Sequence, residues 1–548
     1  MIRIFIFFTT IFFVSAWLIP IHLAPWVAFE SEILAALSAL IVGFLVIILN
    51  KKIVIPKVST IFLLLISIPI IQYFFGQVIY LSTAMLGSGY LLLFYIMIIS
   101  GYNLQEYKSE IFLKISYLFI FIGVVSSIVC IIQWLNLDGW LTPYILELKG
   151  NRPYANVAQP NNLATLLVLS LLSIIYVYEK MKWKISTLII LILLIFFALV
   201  LAQSRTAWIS ISIISIFLFY KNKAVFKKFS NNNNLSFLLI LVVFITLIPL
   251  LNSVLLPFIG ADAADVDTLV ERFSSGYLRL EMWYQAFIAI KESVWFGYGW
   301  NQVGLAQMEV FNTYPTTEWY KSSHNIFLDL VIWFGIPVGL FFIVYFFIGL
   351  LRLLKHANNV ESVIGFSFLL AILIHSCLEY PLYYAFILFP FGFIVGLIYP
   401  KILNADISVN KLVFCMPLIF ILIFIYLLVS DYYLYKKKLV LINMENLTLS
   451  QENINILSDN LVVLTEFSWD LWWRSLNPEN KFSDAQIEEI RIHVWNHASE
   501  YNLYKYAQVL AFNNRKKEAL NLLWIISKLH KKEYLFEELI TNKASESF

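Results

Sequence analysis

Apolar residues in this chain come in long unbroken runs separated by short polar punctuation, and the strict alternation of a half-buried strand is rare. A run of about 17–25 such residues is the length a helix needs to cross the hydrocarbon core of a bilayer. The runs fall near 4–21, 32–49, 59–75, 80–100, 111–135, 161–178, 185–203, 206–220, 235–257, 324–350, 361–378, 383–399 and 412–434. They predict an all-α fold, a polytopic transmembrane helix bundle of about 13 spans, since only helices satisfy their own backbone in lipid without closing a barrel.

The polar punctuation is asymmetric. Lys51, Lys52 and Lys57 follow the second run, Lys180, Lys182 and Lys184 the sixth, Lys221, Lys223, Lys227 and Lys228 the eighth, and Arg352 and Lys355 the tenth. Short cationic loops stay in the cytoplasm, so the even loops and the N-terminus are read as cytoplasmic and the odd loops as periplasmic. The first 20 residues imitate a signal peptide, with Arg3 ahead of an apolar core, but the spans that follow favour an uncleaved first helix. Past the last run the character changes. The stretch Lys436–Phe548 holds 29 of the chain's 73 charged residues. We therefore divide the chain into a transmembrane domain, 1–435, with a large periplasmic loop at 260–323, and a soluble helical domain, 436–548. Within the latter, Tyr506-Ala507-x-x-Leu510-Ala511 and Ala519-Leu520-x-x-Leu523 read as one helical hairpin of tetratricopeptide (TPR-like) type. The odd span count puts this domain in the periplasm, although Lys436-Lys437-Lys438 beside the last span argues the other way.

Composition narrows the class. With 60% hydrophobic and 13% charged residues, the chain has too few polar groups to cover a soluble globule. Its 16 Trp and 30 Tyr suit a protein with many membrane–water boundaries. A net charge of +3 gives no basis for a nucleic-acid partner. Cys130, Cys377 and Cys415 all lie in apolar runs and read as packing residues. There is no HExxH, Walker A loop or GxSxG; Gly297-Tyr298-Gly299 reads as a turn, and Asp262, Asp265 and Asp267 as a solvated acidic loop.

The residues that suggest chemistry gather at the odd ends. One run is Asn151-Arg152-Pro153-Tyr154-Ala155-Asn156-Val157-Ala158-Gln159-Pro160-Asn161-Asn162. Asn161 there is read as the cap of the sixth span, but a cap needs one polar side chain and the run offers several. Arg205 sits in the turn Ala202-Gln203-Ser204-Arg205-Thr206, where snorkelling to the interface would also explain it. Arg272 and Arg279 are spaced for one helix face. Ser322-Ser323-His324-Asn325 opens the tenth span, and His375 lies four residues before Glu379, which predicts a shared helix face leading into Glu379-Tyr380-Pro381-Leu382-Tyr383-Tyr384. Singly, each has a structural explanation. Together they put arginines, amides, tyrosines and a histidine on one side of one membrane. Arginine forks match diphosphate oxygens bidentately, and a neutral histidine can take the proton of an attacking hydroxyl.

On these same residues the chain resembles the O-antigen ligase superfamily, in its PglL-like protein O-oligosaccharyltransferase branch. The most specific match is the run from Arg152 to Leu167. The resemblance implies a functional role for Gln159, with Asn161 and Arg152 beside it, a hold on a lipid diphosphate by Arg205 and Arg279, and a catalytic base in His324, followed by Asn325. It also implies activity in Tyr380 and, less directly, Tyr383, next to Glu379. One departure is Val338, where the family pattern has a small residue or Tyr; Gly335 fits it. Membership implies metal-independent inverting transfer without a cofactor. An undecaprenyl-diphosphate-linked oligosaccharide would be the donor and periplasmic proteins, pilin among them, the acceptors, in contact with the lipids of the bacterial inner membrane. Two rivals stay open: an O-antigen ligase or polymerase with a sugar acceptor, and a transporter or flippase for the lipid-linked glycan. The second fits poorly, because transporters carry ionisable groups near the midplane and often internal repeats.

Overall fold

The computed structural model describes residues 2–150, 152–229, 269–401, 406–443 and 456–541. Fourteen labelled helices cover the apolar part and its loops: α1 (Ile2–Leu18), α2 (Phe29–Leu49), α3 (Ile61–Phe74), α4 (Leu81–Asn103), α5 (Lys108–Trp134), α6 (Pro160–Lys180), α7 (Ile185–Leu201), α8 (Arg205–Val225), α9 (Leu269–Glu292), α10 (Val303–Glu309), α11 (Ile326–Lys355), α12 (Val360–Ser376), α13 (Ala385–Ile398) and α14 (Lys411–Asn443). The tail adds α15 (Thr465–Ser475), α16 (Asp484–Asn496), α17 (Glu500–Phe512), α18 (Lys516–Leu529) and α19 (Phe536–Thr541). Every expected apolar run is a helix except the ninth, 235–257, which lies outside the described residues together with Asp262, Asp265 and Asp267. Among the described residues, seven helices are long and apolar enough to cross a membrane, with shorter apolar ones at α1, α7, α12 and α13.

The chain forms two compact units. The first comprises Met1–Phe62, Leu92–Leu269 and Phe347–Ile419. At its centre is α6, buried on all sides, with apolar residues around its whole circumference and Thr165, Ser170 and Ser173 buried among them. Close backbone approach is visible where α4 meets α13. A Cβ on Gly396 would lie 1.9 Å from the Ile98 carbonyl, and one on Gly101 2.1 Å from that of Phe393. Small residues of this kind let apolar helices touch without a solvent-driven force between them.

Side-chain bonds in this unit join ends of equal parity. At the even ends, Glu361 pairs with Lys180 at 2.7 Å and accepts from Ser109, while Glu179 accepts from the backbone of Lys227, Lys228 and Phe229. There too β1 (Ile53–Pro56) pairs antiparallel with β2 (Asp406–Val409), Ile53 opposite Val409. This short ribbon is the one departure from an all-α reading among the described residues. At the odd ends, Asn156 donates to the carbonyls of Leu18 and Tyr144.

The second unit comprises Leu63–Leu91, Val270–Phe346 and Phe420–Phe548. The tail expected as a domain from Lys436 onward is part of it. Met308 and Phe311, after the 260–323 loop's first helix, share one apolar core with Trp473, Val494, Leu503 and Ile526 of the tail. A helical hairpin forms where the Tyr506 and Ala519 segments predicted one, from α17 and α18. The tail also bonds the loop before α4 and the first turn of that helix: His493 Nδ1 lies 2.6 Å from the Tyr80 hydroxyl, and Thr83 donates to Glu466. That loop follows the third span, so the tail sits with an odd end.

Candidate functional site

In the first unit, the Arg152–Asn162 run is shaped by constraint. Ala155 (φ 51°) and Ala158 (φ 61°) occupy the left-handed region, which costs a residue with a Cβ roughly 1 kcal/mol or more. Gln133, buried in α5, holds this shape. Its Oε1 accepts from the backbone of Tyr154 and Ala155, and its Nε2 donates to the carbonyls of Leu146 and Ala155. The reward is a helix start. Pro160 takes the first position of α6, where no N–H is needed, and the cap is Gln159, whose Oε1 accepts from Asn162 N at 2.6 Å. The cap expected at Asn161 is therefore displaced by two residues, because proline fits only inside the first turn.

Asn161 is released for another task. Its Oδ1 accepts from Ser204 Oγ at 2.8 Å and from Arg152 Nη2 at 3.2 Å, and its Nδ2 donates to Glu379 Oε1 at 3.1 Å. Arg152 also donates to the Ala202 carbonyl through Nε and Nη2. One carboxamide thus ties three odd-end segments together: the Arg152 run, the Ala202–Thr206 turn and the Glu379–Tyr384 segment. The turn itself reverses at Gln203 (φ 48°), and Ser204 leads directly into α8, whose first residue is the half-buried Arg205. Two helices, α6 and α8, therefore begin in this cluster, and the positive ends of their dipoles favour negative charge there.

The pairing expected between His375 and Glu379 takes a different form. Helix α12 ends at Ser376, so Glu379 lies beyond it, with its backbone N–H bonded to the His375 carbonyl. The His375 side chain is fully buried below this, Nδ1 2.8 Å from Thr165 Oγ1. Tyr380 stacks on Tyr384 at 6.2 Å and meets Tyr383 edge-on at 5.7 Å, with all three rings half-buried. Burial, and then the Glu379 carboxylate, push the Tyr380 phenol above its ordinary range.

The second unit holds the His324 segment. His324 adopts φ 56° and is half-buried. Its strained turn is braced from three directions. Asp329, fully buried, accepts from Ser322 Oγ at 2.6 Å and Ser323 N at 2.8 Å. Ser322 Oγ accepts from His324 N, and the Asn325 carboxamide caps α11 by accepting from Phe327 N. Trp283 Nε1 donates to the Ser323 carbonyl at 2.9 Å. Trp283 lies one turn along α9 from Arg279, so one rigid helix carries the arginine and clasps the residue next to the histidine. The side chain of Arg272 falls outside the described residues.

Helix α11 is broken at Gly335 (φ 75°), where a Cβ would lie 2.4 Å from the Trp295 carbonyl. The freed groups are matched. Tyr298 N and Gly299 N donate to the carbonyls of Ile332 and Trp333, Ile336 N donates to Val294 O, and Gln72 Nε2 also donates to Trp333 O. The Gly297–Gly299 turn expected from sequence is the element that plugs this break. Sequence reasoning missed Asp329, Gln133, Gln72 and Ser204. Asp329 did carry a signal, a lone acid within an apolar run.

Residues 189–343 match the O-antigen ligase family, and residues 363–537 match the C-terminal family of virulence-factor membrane-bound polymerases. A general O-oligosaccharyltransferase of Acinetobacter baylyi is 34% identical over 98% of this chain and 94% of its own length. A ComP-specific O-oligosaccharyltransferase of the same organism is 29% identical over 72% of this chain and 71% of its own. The chain belongs to the PglL-like bacterial O-oligosaccharyltransferases of the O-antigen ligase superfamily, and it is a multi-pass membrane glycosyltransferase.

Proposed function

We propose that the chain transfers an oligosaccharide en bloc from an undecaprenyl-diphosphate carrier to Ser or Thr hydroxyls of periplasmic proteins, at the periplasmic face of the inner membrane. The observation that carries this reading is the clasp between Trp283 and Ser323, which couples Arg279 to the His324 turn. In the reaction the acceptor hydroxyl attacks the anomeric carbon of the first sugar. The new C–O bond forms as the bond to the diphosphate breaks, and the electron pair leaves with undecaprenyl diphosphate. His324 accepts the hydroxyl proton as the nucleophile develops charge. Arg205 and Arg279 present guanidinium forks to the departing diphosphate, lowering the barrier where negative charge accumulates. The Tyr380 and Tyr383 rings, set edge to face, offer apolar faces with hydroxyl edges, the surface a sugar ring packs against. Asn161, Arg152 and Glu379 hold the donor-side segments together, Gln159 caps α6 beside them, and Asn325 caps the helix that His324 precedes.

The experiment is a glycan stain of whole-cell protein from a deletion strain, with lipopolysaccharide run alongside. Loss of glycoprotein with O-antigen retained is expected. Loss of O-antigen with glycoprotein intact would select a sugar acceptor instead.

A further inference from the structure

The outward face of α9 is apolar in a segment whose charge pattern reads as an aqueous loop. The helix buries Met282, Gln285, Ala286, Ala289 and Ile290 against its own unit. On the opposite side Leu280, Tyr284 and Phe287 are each more than half exposed. Their spacing of four and three residues places them in a single stripe at about 100° per residue. The stripe ends at Lys291, whose Nζ lies 4.5 Å from the Phe287 ring centroid, an ammonium reaching along an aromatic toward polar surroundings. Arg279 lies on one flank and Glu281 and Glu292 on the other. A helix with this cross-section, too polar and charged to cross a bilayer, suits the plane of a membrane interface rather than bulk water.

The surroundings say what covers the stripe. Just past α9, Trp295 and Phe296 are strongly exposed, as are Phe74 and Phe75 at the end of α3. The two pairs are joined, Gln77 Nε2 donating to the Phe296 carbonyl at 3.4 Å. The helical stretch Lys57–Phe74, which α3 completes, is long and apolar enough to cross a membrane, so lipid is the surrounding its exposed aromatic end calls for, and the Trp295–Phe296 pair continues that surface. Aromatic rings gather at this depth because it is apolar on one side and wet on the other.

We propose that α9 lies in the headgroup layer of the leaflet reached by the end of α3. Its Leu280–Tyr284–Phe287 stripe, with Trp295, Phe296, Phe74 and Phe75, is a lipid-contact surface. Seated so, the helix presents Arg279 on its flank at the level of lipid phosphates, which is where a polyprenyl diphosphate carries its charge. The consequence for Arg279 rests on the function proposed above; the seating itself does not.

Power-saturation electron paramagnetic resonance on full-length protein in lipid nanodiscs tests the seating. Single cysteines at 280, 284, 287, 281 and 292 are spin-labelled in a variant whose Cys130, Cys377 and Cys415 are replaced by Ala and which retains transfer activity. Positions 280, 284 and 287 are expected to be more accessible to oxygen, which partitions into lipid, than to a water-soluble nickel chelate. Positions 281 and 292 are expected to show the reverse. Nickel access along the stripe would mean a water-filled face, and protection from both reagents would mean a second copy or another protein covers it. Either result overturns the proposal while leaving the transferase assignment untouched, since neither readout depends on turnover. In the same nanodiscs, Phe287→Glu is expected to raise the KM for lipid-linked donor several-fold with kcat largely kept. An unchanged KM would separate the stripe from donor handling.

Discussion

Asp329 is the residue on which the geometry of His324 most depends, although it touches neither proposed substrate. Its two carboxylate oxygens accept from Ser322 Oγ and Ser323 N in a fully buried setting, and Ser322 Oγ in turn accepts from His324 N. Hydrogen bonds to a charged acceptor contribute about 1.5–3 kcal/mol each, so Asp329→Leu removes about 3–6 kcal/mol of bracing before relaxation. His324 is held at φ 56°, in a region that is itself unfavourable, so the loop has somewhere easier to go once released. Displacement of a catalytic group by about 1 Å costs on the order of 10²-fold in rate. We therefore expect Asp329→Leu to lower kcat on that order with donor KM little changed. Asp329→Asn keeps an acceptor for Ser323 N and is expected to fall between. The assay is transfer by purified protein with lipid-linked glycan and acceptor, with thermal unfolding measured on the same samples. A folded Asp329→Leu protein with wild-type kcat would refute the bracing argument.

Arg205→Ala and Arg279→Ala should each raise donor KM and lower turnover, with Lys restoring only part, because an ammonium keeps the charge but loses the planar fork; full transfer by a normally inserted alanine variant would reduce that arginine to a surface charge. A cysteine placed in the tail should react with a membrane-impermeant reagent in cells whose outer membrane alone is permeabilised, as the proposed periplasmic side requires; labelling only after inner-membrane lysis would reverse the topology. The tail should also show a pH optimum of stability. Burial alone would depress the His497 imidazole, but the Glu466 bond at 2.5 Å outweighs it and raises its pKa, while burial of Glu466 is likewise outweighed by His497, which lowers the carboxyl. His497 thus stabilises fully below the unfolded value of about 6.5 and loses this as pH rises through its raised folded value. Glu466 stabilises above the unfolded value of about 4.3 and loses this as pH falls through its depressed one. Hydrogen exchange of α15 and α16 should be slowest between those limits, and His497→Ala should flatten the profile.

Much of this molecule was legible from residue order, for a physical reason. Lipid leaves the backbone no partner but itself, so apolar length translates directly into helices. Polar groups grouped at odd ends were readable because apolar runs make them conspicuous. What stayed hidden depends on long-range pairing. Nothing local tells that Asn161 will bond Ser204 and Glu379, residues far along the chain, or that Gln133 will hold the Tyr154–Ala155 backbone. The Gln159 cap was within reach, since Pro160 can only sit inside a first turn. The β1–β2 pairing was not, because its two short segments are far apart and neither alternates for long. Continuous charge counting marked Lys436–Phe548 as distinct, yet its core includes Met308 and Phe311, and composition does not record which surfaces a segment shares.

The central claim is that His324 is the base of a glycan transfer, and His324→Ala in the purified transfer assay tests it most directly. The variant should remain folded, because Asp329, Ser322 and Trp283 brace the turn through bonds that the substitution leaves in place. Loss of a general base typically lowers a rate by about 10²–10⁴-fold, and we expect transfer to fall within that range with donor binding retained. His375→Ala, made in parallel, removes a buried histidine bonded to Thr165 and is expected to leave the chemical step in place. Wild-type transfer by His324→Ala, with activity lost instead in His375→Ala, would contradict the account.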